Sequence, residues 1–520
     1  YIMKIFIKPS SSFRELQKQL GEPNAVYVIE HEQNTFGTKE NPLVFPEECT
    51  LEFCGGAFMG GYVLFNGLLQ NDVIYPVWKS VNILYNFENY AYTGFRNMYL
   101  RPEWFGAIGN GETDDSLAIQ QCITEARYSG SMVHLLSKRY LLKQTIYLYS
   151  GSHIEGCIAG SLDRNVQIGT SLVFDLPEES DVAIDLNSSV KDKEGQYIDR
   201  SGCYKFIIKR LGIINNKIAT NIGLRLISSD EQPVPREGLV ENVLVYNFGT
   251  GLLINALSYV KFSQICLIGY RTGIKINKIG LYIEFGWFHD VYMNTTQSDG
   301  VGLDIDSGNN LYFNEIDIND CKTGIWLHSE QPLFCYFFSR INLTRCGVCT
   351  AIEATKAFIT RLKFSEVTLL YSECGFSFDR KGYYNIGDSS FVDMFDSVDT
   401  DKPLFWIKDN TLSLASCTFE RIRALGRIRG LAYAGKLNLV NYSPSGEFVM
   451  RAGLQSYIYV VESRSVFDFV PSVISECSDK TLSYSISVEN EQLGNLSIRI
   501  NLESELTHDV VFKYLFHRLI

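Results

Sequence analysis

The chain has 520 residues, 46% of them hydrophobic and 20% charged, enough to bury a large core and more than one domain usually holds. A formal charge of -12 argues against the clustered basic face that a nucleic-acid partner requires, and no apolar run reaches the length of a membrane-spanning helix. Thirteen scattered cysteines fit reduced, buried thiols better than a disulfide framework, and "YIMKIFIKPSSSF" lacks a signal-peptide pattern. The expectation is synthesis in a reducing cytoplasm without membrane insertion.

Residues 1–100 open with "SSSFRELQKQLG", where Ser11 or Ser12 caps a short helix, Phe13, Leu16 and Leu20 share a face, and Gly21 ends it. Short alternating strands then run between glycine turns, so the region reads as a small α/β adaptor. Residues 103–123, "EWFGAIGNGETDDSLAIQQCI", place two glycines and two aspartates before an apolar run. Thr113, Asp114 or Asp115 fits as cap of a helix whose Leu117, Ile119, Ile123 and Ala126 form an apolar stripe; a catalytic acid pair is the weaker reading.

From 101 to 430 the sequence repeats imperfectly. One element is Gly-apolar-x-apolar: "GLRL" at 223, "GLLI" at 251, "GIKI" at 273, "GLDI" at 302, "GIWL" at 324, a degenerate "AIEA" at 351 and "GFSF" at 375, at intervals of 28, 22, 29, 22, 27 and 24 residues. A second element, such as "VENVLV" at 240, "FSQICL" at 262, "FHDVYM" at 288, "FNEIDI" at 313 and "FSRINL" at 338, precedes most copies of the first. Each copy supplies short strands of period two that bury themselves only by stacking on the next copy, which predicts a parallel β-helix. The extra residues of the longer intervals are expected as loops on one side. Residues 431–520 leave the repeat for longer alternating stretches, which predict a β-sandwich.

Stacked coils bring equivalent residues to about 4.8 Å, so the aligned copies convert into surface ladders. The second polar position of the second element gives Asn242, Gln264, Asp290, Glu315, Arg340 and Glu366. Asp290 beside Glu315 is a repelling carboxylate pair of the kind a glycosidase uses as acid and base; a separation of ~5 Å suits retention of configuration. Asp317 and Arg340 complete the candidate catalytic set, and His289 and Tyr292 from the same copies are candidate substrate contacts. The outward position of the first element adds Lys275, Asp304, Trp326 and Glu353. Asp304 and Glu353 are expected two coils apart, at about 9.6 Å, and Trp326 as an outward sugar platform or a ring packed under a loop. "CGVC" at 346 lacks the second pair that a structural zinc needs, so no metal site is expected from it.

Residues 101–160 resemble the opening segment of pectate-lyase-like, right-handed β-helix proteins: Phe105, Gly106, Ala107, Gly109, Gly111, Thr113, Asp114 and Asp115 match the family's aromatic-Phe-Gly-Ala and Gly-x-Gly-x-Thr-Asp-Asp pattern. The family includes polysaccharide lyases, glycoside hydrolases, epimerases and phage tailspikes. The resemblance therefore implies an all-β solenoid, with adaptor at 1–100, β-helix at 101–430 and sandwich at 431–520, acting on carbohydrate. It is most like a tailspike or depolymerase that cleaves bacterial surface polysaccharide. Homotrimerisation, attachment to a virion or baseplate through residues 1–100, and release by lysis are further implications. A lyase using calcium, an exported bacterial enzyme and a non-catalytic receptor-binding fibre are the alternatives.

Overall fold

A strand of period two turns a corner only where one residue leaves the β region, and the repeated polar position is such a residue. In this computed structural model φ lies between +52° and +57° at Asn242, Gln264, Asp290, Glu315, Arg340 and Glu366. A second corner falls at Tyr259, Phe285 and Asn310, and a third at Asn247, Gly269, Asp320 and Arg345. The structure describes residues 3–65, 77–85, 99–158, 169–187, 203–277, 283–352 and 359–392 apart from short loop segments, together with strands and adjoining turns between 405 and 517.

Two units are described separately, residues 1–268 with 278–283 and residues 269–277 with 284–520. Both are built by parallel stacking in register. In the first, Leu239–Tyr246 lies on Leu257–Ile268 with Val240 facing Phe262 and Val243 facing Ile265. In the second, Phe288, Phe313, Phe338 and Phe364 face one another on successive coils, as do Val291, Ile316, Ile341 and Val367. The fold is a right-handed parallel β-helix, the hand that parallel crossovers take. The four phenylalanines stack at 4.7, 4.9 and 4.8 Å, the strand spacing itself, and are at most 1% exposed.

The glycine that opens the first element has a steric cause. A Cβ on Gly302 would lie 2.6 Å from the carbonyl oxygen of Gly324, and one on Gly273 2.7 Å from that of Gly302. The next coil passes too close for a side chain. Contrary to expectation, the extra residues of the longer intervals do not all fall on one side. Gly223 to Gly251 gains them after the short strand Ile222–Ile227, whereas Gly273 to Gly302 gains them on both sides, at 277–282 and 295–300. The "AIEA" alignment is also corrected: Trp326 faces Ala351, so Glu353 sits two residues past the ladder and lies outside the described residues.

Residues 1–100 hold one helix and short strands that pair in parallel. Among the described residues these strands form three sheets of three and one of two, all parallel, and Trp78 centres a core of Phe45, Phe53, Phe58 and Phe65. Two bonds of 2.8 Å tie it to the segment 104–121, from the Val77 N–H to the Trp104 carbonyl and from the Gln121 amide to the Val81 carbonyl. Helix α1 (Phe13–Gln19) has Ser12 as N-cap and buries Leu16 and Leu20, as expected. Helix α2 (Ser116–Ser129) buries Ile119, Cys122, Ile123 and Ala126, but Leu117 is 72% exposed, because two residues on a helix turn it away from Ile119.

Each helix closes a sheet edge with a glutamine. The Gln17 amide donates to the Val44 carbonyl and accepts from its N–H, both at 2.8 Å; Gln120 does the same for Tyr147, at 3.1 and 2.8 Å. Val44 and Tyr147 lie on end strands of their sheets, so each amide replaces a missing strand. Capping in "GETDD" is divided. Asp114 accepts the Ser116 N–H at 3.0 Å, while buried Asp115 accepts the N–H groups of Ile108 and Gly109 at 2.7 and 3.0 Å. Gly106, Gly109 and Gly111 all have positive φ, which fits that loop to glycine.

Parallel strands continue to Asn438–Val440, beyond the expected boundary at 430. The remainder forms two three-stranded antiparallel sheets sharing Met450, Cys477, Ile498, Ile500, Val510 and Phe512, a sandwich as the pattern predicts.

Two substitutions test these causes. Exposed Gln264→Val should cost about 1–2 kcal/mol, read from urea midpoints, while Gln264→Gly costs almost nothing, because only the β-branched residue resists the left-handed corner. Gln120→Leu should cost about 1–3 kcal/mol by stranding the N–H and carbonyl of Tyr147.

Candidate functional site

The predicted residues fall on two faces of the second unit. On the long-strand face, Ile283–Asn294, Asn309–Asn319 and Leu333–Thr344 carry His289, Asp290, Tyr292, Glu315, Asp317 and Arg340. Register puts His289 opposite Asn314, and Tyr292, Asp317 and Asn342 in one row. Asp290, Glu315, Arg340 and Glu366 occupy the corner between these rows.

The corner residues are tied to one another unequally. The Arg340 guanidinium pairs with Glu315 and reaches Glu366 at 3.9 Å, and His289 Nε2 lies 3.4 Å from the other Glu315 oxygen. Asn314 Nδ2, which can only donate, is 2.9 Å from His289 Nδ1; this leaves the imidazole proton on Nε2, directed at Glu315. Asp290 makes no ion pair among the described residues. Asp317 differs in kind: it is half-buried, and its Oδ1 accepts from Asn319 and Asn342 at 2.9 and 3.2 Å. Burial raises its carboxyl above the ordinary aspartate value, against the opposing pull of those two bonds and of Arg345.

Trp287, Tyr312 and Phe337 stack outside the phenylalanine row, at 6.0 and 5.2 Å with planes within 11° and 4°. Near-parallel rings on successive coils turn their faces toward each other. Their edges, rather than sugar-stacking faces, border the site.

The short-strand face gathers Lys275, Asp304 and Trp326, on successive coils in that order. Asp304 is not the open carboxylate expected: it is 4% exposed, covered by His328 Nε2 at 2.6 Å and Lys275 Nζ at 3.4 Å. Trp326 is half-buried and stacks on His328 at 4.0 Å, and its Nε1–H has no acceptor among the described residues. Sequence reading missed His328, although period two from Trp326 places it on the same face. At the equivalent position of the first unit, Asp185 is 1% exposed beneath a bidentate pair with Arg225, at 3.0 and 2.7 Å. Acid under base is thus how this face buries carboxylates in both units.

Among the described residues no three carboxylate, histidine or cysteine side chains converge, and Glu315 is engaged by Arg340 and His289. Cys321 and Cys346 are buried, and their mutual contact together with burial pushes the Cys321 thiol far up. They behave as core residues.

The raised Asp317 carboxyl gives a signed prediction. The folded chain holds that proton more tightly than the unfolded chain, so this group's stabilisation is complete below about pH 3.9 and is lost as pH rises through the folded value. Asp317→Asn should leave the urea midpoint unchanged in acid and raise it at neutral pH.

No protein-family model matches the chain, and no curated protein matches its sequence. Among solved structures it is similar to the gp42 tailspike of Acinetobacter phage vb_AbaP_AS12, with TM-score 0.45 and 12% identity over 82% of this chain and 83% of that one. It is similar to the tailspike of E. coli bacteriophage HK620, with TM-score 0.40 and 8% identity over 82% and 93%. A third is the gp49 tailspike of Acinetobacter baumannii bacteriophage Fri1, a capsular polysaccharide depolymerase, with TM-score 0.30 and 12% identity over 81% and 86%.

Proposed function

We propose that the chain is a tailspike-like protein that binds and depolymerises a bacterial surface polysaccharide by glycoside hydrolysis on the long-strand face of its second unit. One observation carries the reading: two carboxyls two residues apart, Glu315 and Asp317, stand in opposite environments across one corner. Glu315 is ion-paired by Arg340 and faces His289, whereas Asp317 is half-buried and raised by burial. Carboxyls separated in this way divide into an acid and a base. Asp317 gives its proton to the glycosidic oxygen as the carbon–oxygen bond breaks. A corner carboxylate, Glu315 or Asp290, takes the proton of the water that forms the new bond.

The resemblance of residues 101–160 to β-helix enzymes of polysaccharides supports the substrate class. Location on a virion tail, homotrimeric assembly and attachment through residues 1–100 belong to the same proposal. The binding-only alternative rests on the corner itself, since left-handed φ at Asp290 and Glu315 gives these positions a backbone role without chemistry.

Incubation with polysaccharides from candidate hosts separates the readings: new reducing ends mean hydrolysis, an unsaturated product means a lyase, and binding alone means a fibre. Asp317→Asn should lower cleavage at least about 100-fold, and Glu315→Gln and Asp290→Asn should each do the same if that residue is the base. In the unaltered protein cleavage should decline as pH rises and Asp317 loses its proton. Normal cleavage by all three variants would place the chemistry elsewhere.

A further inference from the structure

We infer that the glycan recognised on the long-strand face carries hydroxyl and N–H donors and no carboxylate, sulfate or phosphate. This rests on the reading of that face as the glycan site and names the substrate class it takes. An anionic polymer repeats its charge along its length, and a face selects it with cations that have no other partner. Here the arginines are already committed. Arg340 lies between Glu315 and Glu366, and Arg345 forks onto Asp320 at 2.5 and 2.8 Å, with Asn294 adding a 3.0 Å bond to the same carboxylate. Arg345 also draws the Asp320 carboxyl below its ordinary value.

His289 is likewise engaged, by Asn314 at Nδ1 and by Glu315 at Nε2. Exposed Lys363, next to Phe337 in register, is the cation of this face without an ion pair among the described residues. Against it stands the exposed carboxylate of Asp290. Leaving aside Asp317, which holds a proton as the acid, Asp290, Glu315, Asp320 and Glu366 stand against Arg340, Arg345 and Lys363, so acids outnumber bases on the face, and the whole chain is at -12. Such a field repels a polyanion.

The remaining groups suit uncharged sugars. Asp290 offers two acceptor oxygens, Asp317 has one oxygen not engaged by the asparagines, and Ser339, Ser365, Thr368 and Tyr292 supply hydroxyls along the same rows. Carboxylates next to hydroxyls accept from vicinal sugar hydroxyls, acetamido N–H groups or a free sugar ammonium.

The test is binding of the full chain, at low and high salt, to a panel of bacterial polysaccharides of known composition plus polygalacturonate, polysialic acid and heparin. The expected result is retention by uncharged polymers, N-acetylated ones included, with affinity changing less than about twofold between the salts, and retention of a free-amine polymer that weakens at high salt. Asp320→Asn, which removes the carboxylate held by Arg345 and frees that guanidinium, should create salt-sensitive binding to polygalacturonate that the unaltered chain lacks. Retention of acidic polymers by the unaltered chain, weakened about tenfold or more by salt, would overturn the inference while leaving the glycan reading standing. Binding to no polymer in the panel would remove both.

Discussion

The described coils from Ile207 to Leu370 depend on repeating one backbone corner at one place. A parallel stack tolerates no drift: a turn one residue late would rotate an entire row of side chains from core to surface. The left-handed residues at the corners fix that phase, and the glycines of the first element let the next coil approach closely enough to keep it. The stacked phenylalanines are the result. Four rings stand at the strand spacing because the backbone beneath them advances by that spacing and nothing else.

The same constraint supplies the chemistry. Residues that occupy the corner project outward and are free to vary in charge, so the row reading Asp290, Glu315, Arg340 and Glu366 is available for function at no cost to the core. Asp317 shows what happens one step away from the corner. There the strand has resumed, burial begins, and a carboxyl meets two asparagines and a desolvating surface rather than water. A few ångströms of coil separate a solvated acid from a tuned one.

The repeats in the sequence were legible because stacking imposes them: aligned corner residues and aligned apolar pairs led directly to the register that Asp290, Glu315 and Arg340 occupy. Where the repeat decays, reading fails. "AIEA" kept the look of the motif while the strand paired two residues earlier, so Glu353 was misplaced. Environment was less legible still. Nothing in "GLDI" distinguishes an open Asp304 from one covered by His328, because the covering side chain comes diagonally from another coil. Leu117 was lost to helix phase, and the continuation of parallel strands to residue 440 was hidden by their shortness.

The glutamines at Gln17 and Gln120 bear on how long such a molecule becomes. A coil carries no information about how many coils surround it; each merely presents an edge that another can extend. A side-chain amide satisfies that edge and offers none of its own, so it acts as a terminator. Size is then written at the ends rather than along the body, and coils can be gained or lost over evolutionary time without redesign of the rest, provided the terminator travels with the first one.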